Sequence, residues 1–207
     1  MKTNRLISSM LIIVMFTVIG CISGSYEPPT YKSSKEKYQT VINVPYDKVW
    51  SQLIQYTAQT FFAIDNYEKA SGLITLSFGV STPEKFITGG HWEYRDLRPA
   101  KQIDFSGDYV KFASMYNRGE LSGRMNIVVT EMNKGKTKIR VNARYIFNTM
   151  VKSGRQLTWS FDTGGCDTIK LSNLVATPGT GNYRTICPTY KAENTIIETI
   201  ENNIQEQ

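Results

Sequence analysis

Residues 41–50 read Val41-Ile42-Asn43-Val44-Pro45-Tyr46-Asp47-Lys48-Val49-Trp50, and the change of period within them sets the fold class. Tyr38 to Val44 is a short β-rich run that Pro45 ends. Beyond it Val49, Trp50, Leu53, Ile54 and Thr57 recur at helical spacing, with Pro45 near the first turn, where its missing N–H costs nothing. The spacing predicts a strand that feeds a helix over about 46–60.

On the C-terminal side, Phe61–Asn66 and Leu73–Gly79 read as two strands joined by the turn-forming stretch 67–72. Ile74, Leu76 and Phe78 alternate with Thr75 and Ser77, as a strand with one buried face requires. Residues 80–100 show no period and read as a long loop with room for one short strand. The stretches 101–116 and 120–132 are again strand-like, and Asn133-Lys134-Gly135 is a hairpin signal. The next strand is the clearest in the chain: Ile139, Val141, Ala143, Tyr145 and Phe147 take one side and Lys136, Lys138, Arg140, Asn142 and Arg144 the other. Residues 156–161 add a strand. Pro188 then opens a helix with one apolar stripe, Ile196, Ile197, Ile200 and Ile204. These elements predict an α+β domain, a curved antiparallel sheet with an N-terminal helix and a long C-terminal helix packed on one face.

The opening Val41 to Trp50, in which a strand runs through Val44-Pro45 into a helix bearing Val49-Trp50, resembles the helix-grip fold of the START and birch-pollen-allergen superfamily. Ser71-Gly72-Leu73-Ile74 is similar to that group's second hairpin. The same opening resembles the lipid-anchored helix-grip domains of component C of the outer-membrane β-barrel assembly machine. The resemblance covers residues 38–205 in outline, with its motifs in the first forty. It implies that the space between sheet and terminal helix is either core or a pocket for an apolar ligand.

Ahead of the domain, Lys2 and Arg5 precede a nearly unbroken apolar run from Leu6 to Ile19. Fourteen positions are too few to span a bilayer, which takes about 20 residues, and the pattern is that of a secretory signal peptide. The run ends in Val18-Ile19-Gly20-Cys21, which resembles the lipobox of bacterial lipoproteins. That resemblance implies a signal peptide over 1–20, cleavage before Cys21, and acylation of Cys21 as the first mature residue. In an envelope like that of enteric bacteria, Ile22 in place of an aspartate then favours the outer membrane, with the domain facing the periplasm. Residues 21–37, with Gly24, Pro28, Pro29, Ser33 and Ser34, read as a flexible tether to a single domain over 38–207.

Composition narrows the function. The chain has 207 residues, 41% hydrophobic, enough for a sizeable core. Of its 24 basic residues two lie in the leader, so the body carries 22 against 18 acidic ones, too mild a balance for a nucleic-acid binder. Beside Cys21 stand only Cys166 and Cys187. In an oxidising compartment the pair reads as a disulfide that staples the loop 166–187, since a metal pair would need further ligands and His91 is the sole histidine. No nucleophile elbow, Walker loop or dinucleotide fingerprint is present. His91 with Glu93 and Asp96 is the one conceivable acid–base group, and its segment reads rather as a polar loop anchored by Trp92. Neither an enzymatic activity nor a cofactor is expected.

Two features remain as candidate sites. The cationic strand face (Lys136, Lys138, Arg140, Arg144) is either a solvated outer face or a contact for an anionic surface or acidic partner. The aromatic set Trp50, Phe78, Phe105, Tyr145 and Phe147 is either plain core or the wall of an apolar cavity. The expectation is a lipid-anchored, non-enzymatic component of cell-envelope assembly or maintenance that binds an envelope protein. The alternatives are a carrier of a lipid-like ligand and an accessory lipoprotein of a secretion or conjugation apparatus.

Overall fold

The computed structural model describes residues 22–60, 62–98, 102–133, 135–151, 153–171 and 177–205, the side chains of 204 and 205 excepted. The lipobox with Cys21, Lys134 and the side chain of Ile204 lie outside the described residues. In chain order come β1 (Ile22–Glu27), β2 (Gln39–Ile42), α1 (Tyr46–Thr57), β3 (Ala63–Glu68), β4 (Leu73–Val80), β5 (Ile87–Thr88), β6 (His91–Asp96) and β7 (Ile103–Asp108). They are followed by α2 (Tyr109–Tyr116), β8 (Glu120–Met132), β9 (Lys136–Met150), β10 (Gln156–Asp162), β11 (Asp167–Lys170), β12 (Tyr183–Pro188) and α3 (Lys191–Gln205). The fold is α+β, and every pairing among the described strands is antiparallel.

Long β9 organises the largest sheet, of order β10-β9-β8-β4-β3. One edge of β9 pairs with β8 along nearly its whole length. The other edge is shared: β2 pairs with residues 137–140 and β10 with residues 144–150. At the change of partner, Ala143 N–H donates to Thr163 Oγ1 (2.7 Å) and Thr163 N–H donates to the Ala143 carbonyl (2.9 Å), so the ladder continues through a side chain. Alternation does what the sequence implies: Ile139, Val141, Ala143, Tyr145 and Phe147 are buried, while Lys136, Arg140 and Arg144 are exposed. Val49, Trp50 and Leu53 of α1 and Ile196, Ile197 and Ile200 of α3 join the inward residues in one core, with α3 against β9 and β2.

Two three-stranded sheets, β1-β6-β7 and β11-β12-β5, complete the structure. They correct several sequence-based readings. Residues 22–37 are not a free tether. β1 pairs residue by residue with β6, from Ile22 opposite Asp96 to Glu27 opposite His91. Composition misleads here because two tyrosines fasten the segment. Tyr26 packs edge-on against Trp92 and Tyr109, and Tyr31 stacks on Tyr190 while donating to the Thr163 carbonyl (3.0 Å). Gly90, at φ +78°, lets residues 27–29 pass so close that a Cβ there would sit 2.2 Å from the Glu27 carbonyl.

Residues 80–100 are not a long loop but contain β5 and β6. Nor is 101–116 all strand: β7 stops at Asp108, whose carboxylate accepts from Val110 N–H (2.7 Å) and Thr88 Oγ1–H (2.6 Å) and so caps α2. The stapled loop holds a hairpin, β11 with β12. The Cys166–Cys187 disulfide is present, and it closes the position next to the Asp167–Ile186 pair with Cα atoms 4.3 Å apart. Tying residues 21 apart removes unfolded-chain entropy worth about 3 kcal/mol.

Candidate functional site

The outward face of β9 is where the sheet concentrates charge. A strand places alternate residues on one side, so Lys136, Lys138, Arg140 and Arg144 emerge together. Register adds a member that the sequence reading did not include. Arg124 of β8 lies directly opposite Arg144, with Asp162 of β10 on the other flank of Arg144. Like charges facing each other across a ladder are unfavourable. Arg124 is partly relieved by Asp65, whose Oδ2 lies 3.2 Å from its Nε. Among the described residues, Lys136, Lys138, Arg140 and Arg144 form no ion pair; Arg140 Nε donates only to the Asn142 side-chain oxygen (3.2 Å). Ile146, on the same face, is 38% exposed and adds an apolar contact beside the cations. The even spacing of β9 made this face legible; Arg124 needed the pairing register.

The aromatic set divides. Trp50, Phe78, Tyr145 and Phe147 are buried in the core of the large sheet, where Phe78 packs on Tyr145 (centroids 5.8 Å) and Tyr145 stacks on Phe161 (5.4 Å). Phe105 is not among them. It is half-buried on β7, against Phe112 and Tyr116 of α2, because β7 belongs to the separate β1-β6-β7 sheet. An apolar hollow of about 260 Å³ opens at the start of α3, lined by Phe62, Phe86, Ala192 and Thr195 with Lys85 and Lys191 at its rim.

His91 is exposed, with Nε2 3.4 Å from Ser106 Oγ and 3.7 Å from Glu93 Oε1. Both neighbours fall on the same ring nitrogen. A base that activates a hydroxyl holds the nucleophile on one nitrogen and its orienting acid on the other. Asp96 is turned away and buried, paired with Arg98 through two bonds of 2.8 and 2.7 Å. Among the described residues no group of three or more His, Cys, Asp or Glu could hold a metal ion, and no helix is long and apolar enough to cross a membrane.

Two buried charges support the sheets, and neither was legible in the sequence. Arg184 of β12 is 1% exposed and its guanidinium lies over Tyr26 (4.5 Å), Trp92 (4.6 Å) and Tyr109 (5.7 Å), a desolvated cation–π arrangement. Nη1 donates to the carbonyls of Thr180 and Tyr183, and Nη2 to Thr180 Oγ1. Burial draws its pKa below the ordinary arginine value. Glu193 of α3 is fully buried and accepts from Tyr145 O–H and Thr163 O–H, each at 2.7 Å. Burial raises its carboxyl above the usual range. It thus pins α3 to β9 at the point where β9 changes partner.

No protein-family model, curated protein or solved structure matches the chain.

Proposed function

We propose that the protein is a lipid-anchored, non-enzymatic component of the cell envelope, held at the outer membrane through acylated Cys21 and facing the periplasm. Its working surface is the cationic outer face of the large sheet, which binds an anionic envelope partner. The observation that carries this reading is the row Lys136, Lys138, Arg140 and Arg144 on one face of β9, none of them in an ion pair among the described residues, with Arg124 set opposite Arg144. Asp65 and Asp162 answer the charge only at the Arg124–Arg144 end, whereas Lys136, Lys138 and Arg140 face Met132, Thr130 and Val128 and are left for an acidic partner to meet. Placement of α1 and α3 against the inner side of the sheet supports the helix-grip relationship, and the interlocked rings of Phe78, Tyr145 and Phe161 support a filled interior. The hollow beside α3 favours the second reading, a carrier of an apolar ligand with an anionic head. At about 260 Å³ it lies under the roughly 300 Å³ from which ligand sites begin.

A photoreactive residue at Asn142, between Arg140 and Arg144, is expected to trap a discrete envelope partner in cells. Lys138→Glu with Arg140→Glu should abolish that adduct and leave the melting temperature unchanged. Binding should also weaken with salt, since the Debye length at physiological ionic strength is only about 8 Å. An adduct that survives the double charge reversal would remove the electrostatic basis of the reading.

A further inference from the structure

The segment joining the anchor to the domain has almost no length. β1 begins at Ile22, the residue after Cys21, and Ile22 is already paired with Asp96 at the end of β6. One peptide step is about 3.8 Å, so a lipid on Cys21 would leave the end of this small sheet nowhere to go but the bilayer surface. What that end presents fits such a place. Asp96 is opposite Ile103 of β7, so Ile22, Asp96 and Ile103 form one row across the sheet end. Leu97 follows Asp96 directly and is 56% exposed, held outward by the clamp of Arg98 on Asp96.

Helix α2 doubles back along β7: Phe112 packs on Phe105 (5.2 Å) and Tyr116 reaches the same ring (6.4 Å) from one turn further on. Its last residues therefore lie towards the Ile103 end, where Met115 is 58% and Tyr116 39% exposed. The Asn117 carbonyl just beyond accepts from Met150 N–H (2.6 Å) at the end of β9, and Met150 is 39% exposed. Exposed Arg118 borders the group. Apolar side chains clustered with a tyrosine and arginines are the composition of a surface that rests at a lipid headgroup boundary.

We propose that the end of the molecule formed by Ile22, Leu97, Met115 and Tyr116 seats directly on the phospholipid surface, so that the domain is docked on its membrane and not suspended from it. This rests on the acylation of Cys21 proposed above. Docking fixes the orientation of the cationic face relative to the membrane, which a free tether would not.

The test uses the full-length acylated protein in vesicles of phosphatidylethanolamine and phosphatidylglycerol, with Leu97→Cys or Met115→Cys carrying an environment-sensitive fluorophore. Ser71→Cys, in the β3–β4 turn, serves as the reference site. On reconstitution the labels at 97 and 115 should shift to the blue, lose most of their quenching by aqueous iodide and become quenchable by lipid-borne nitroxide. The label at 71 should change in none of these. Vesicles that float with the protein while 97 and 115 stay as iodide-accessible as 71 would overturn the docking. Protein that fails to float with the vesicles would overturn the anchor, and the docking with it.

Discussion

Arg184→Ala is expected to lower stability by about 3–5 kcal/mol, from a desolvated cation–π contact of about 2 kcal/mol, orphaned carbonyls at about 1 kcal/mol or more each, and a buried void. The cost has three sources. The Ala variant loses the guanidinium's contacts with Tyr26, Trp92 and Tyr109. It strands the carbonyls of Thr180 and Tyr183, which that side chain now satisfies. It also opens a void where segments of all three sheets meet, since Tyr26 is on β1, Trp92 on β6, and Trp159 of β10 donates to the Arg184 carbonyl (3.0 Å). For a domain of this size each kcal/mol moves the midpoint by about 2–4 °C, so thermal melts followed by circular dichroism should fall by roughly 10 °C. Arg184→Lys should fall between, because an ammonium keeps the charge but neither stacks as a plane nor reaches several carbonyls at once. A loss below about 1 kcal/mol for the Ala variant would mean that the aromatic box is merely adjacent to the charge.

The second large effect is at Glu193. Glu193→Ala leaves the buried Tyr145 hydroxyl without its acceptor and the Thr163 hydroxyl with only the longer Ala143 carbonyl (3.3 Å); an orphaned polar group costs about 1–3 kcal/mol, and the void left by the buried side chain adds to it. The loss should therefore be roughly 2–5 kcal/mol, read by urea unfolding. Glu193→Gln isolates the charge. The folded carboxyl holds its proton more tightly than the unfolded one, so its favourable share of stability is complete below the unfolded value near 4.5. That share is lost as pH rises through the raised folded value. Stability of the Gln variant relative to wild type should therefore increase from acid toward neutral pH. Asp96, held low by Arg98, has the opposite slope, losing its contribution as pH falls, but it is common to both proteins and cancels in the difference. A difference curve that is flat across this range would show that Glu193 is solvated in the fold.

What could be read from sequence follows the strength of each local signal. β9 was legible because fifteen residues alternate with few lapses, and that alternation separated the buried Tyr145 from the exposed Arg144. β1 was not, because on the side it turns toward Trp92 it has Ile22, Gly24 and Tyr26: Ile22 is only half-buried at the sheet end, Gly24 has no side chain, and Tyr26 finds its partners 66 or more residues away. The helix α2 did carry a signal, Asp108 ahead of Tyr109, Val110, Phe112 and Ala113, but the apolar run is short enough to suit a strand. Arg184 had none. Nothing near it in the chain announces a cage, because its three rings come from β1, β6 and α2.

The proposed place of the protein in the cell rests on acylation of Cys21. The most direct measurement is mass spectrometry of the N-terminal peptide of the mature protein extracted from membranes. The mature chain is expected to begin at Cys21 and to carry a diacylglyceryl thioether and an N-acyl group. A chain that retains residues 1–20, or one that starts elsewhere with an unmodified Cys21 thiol, would contradict that expectation.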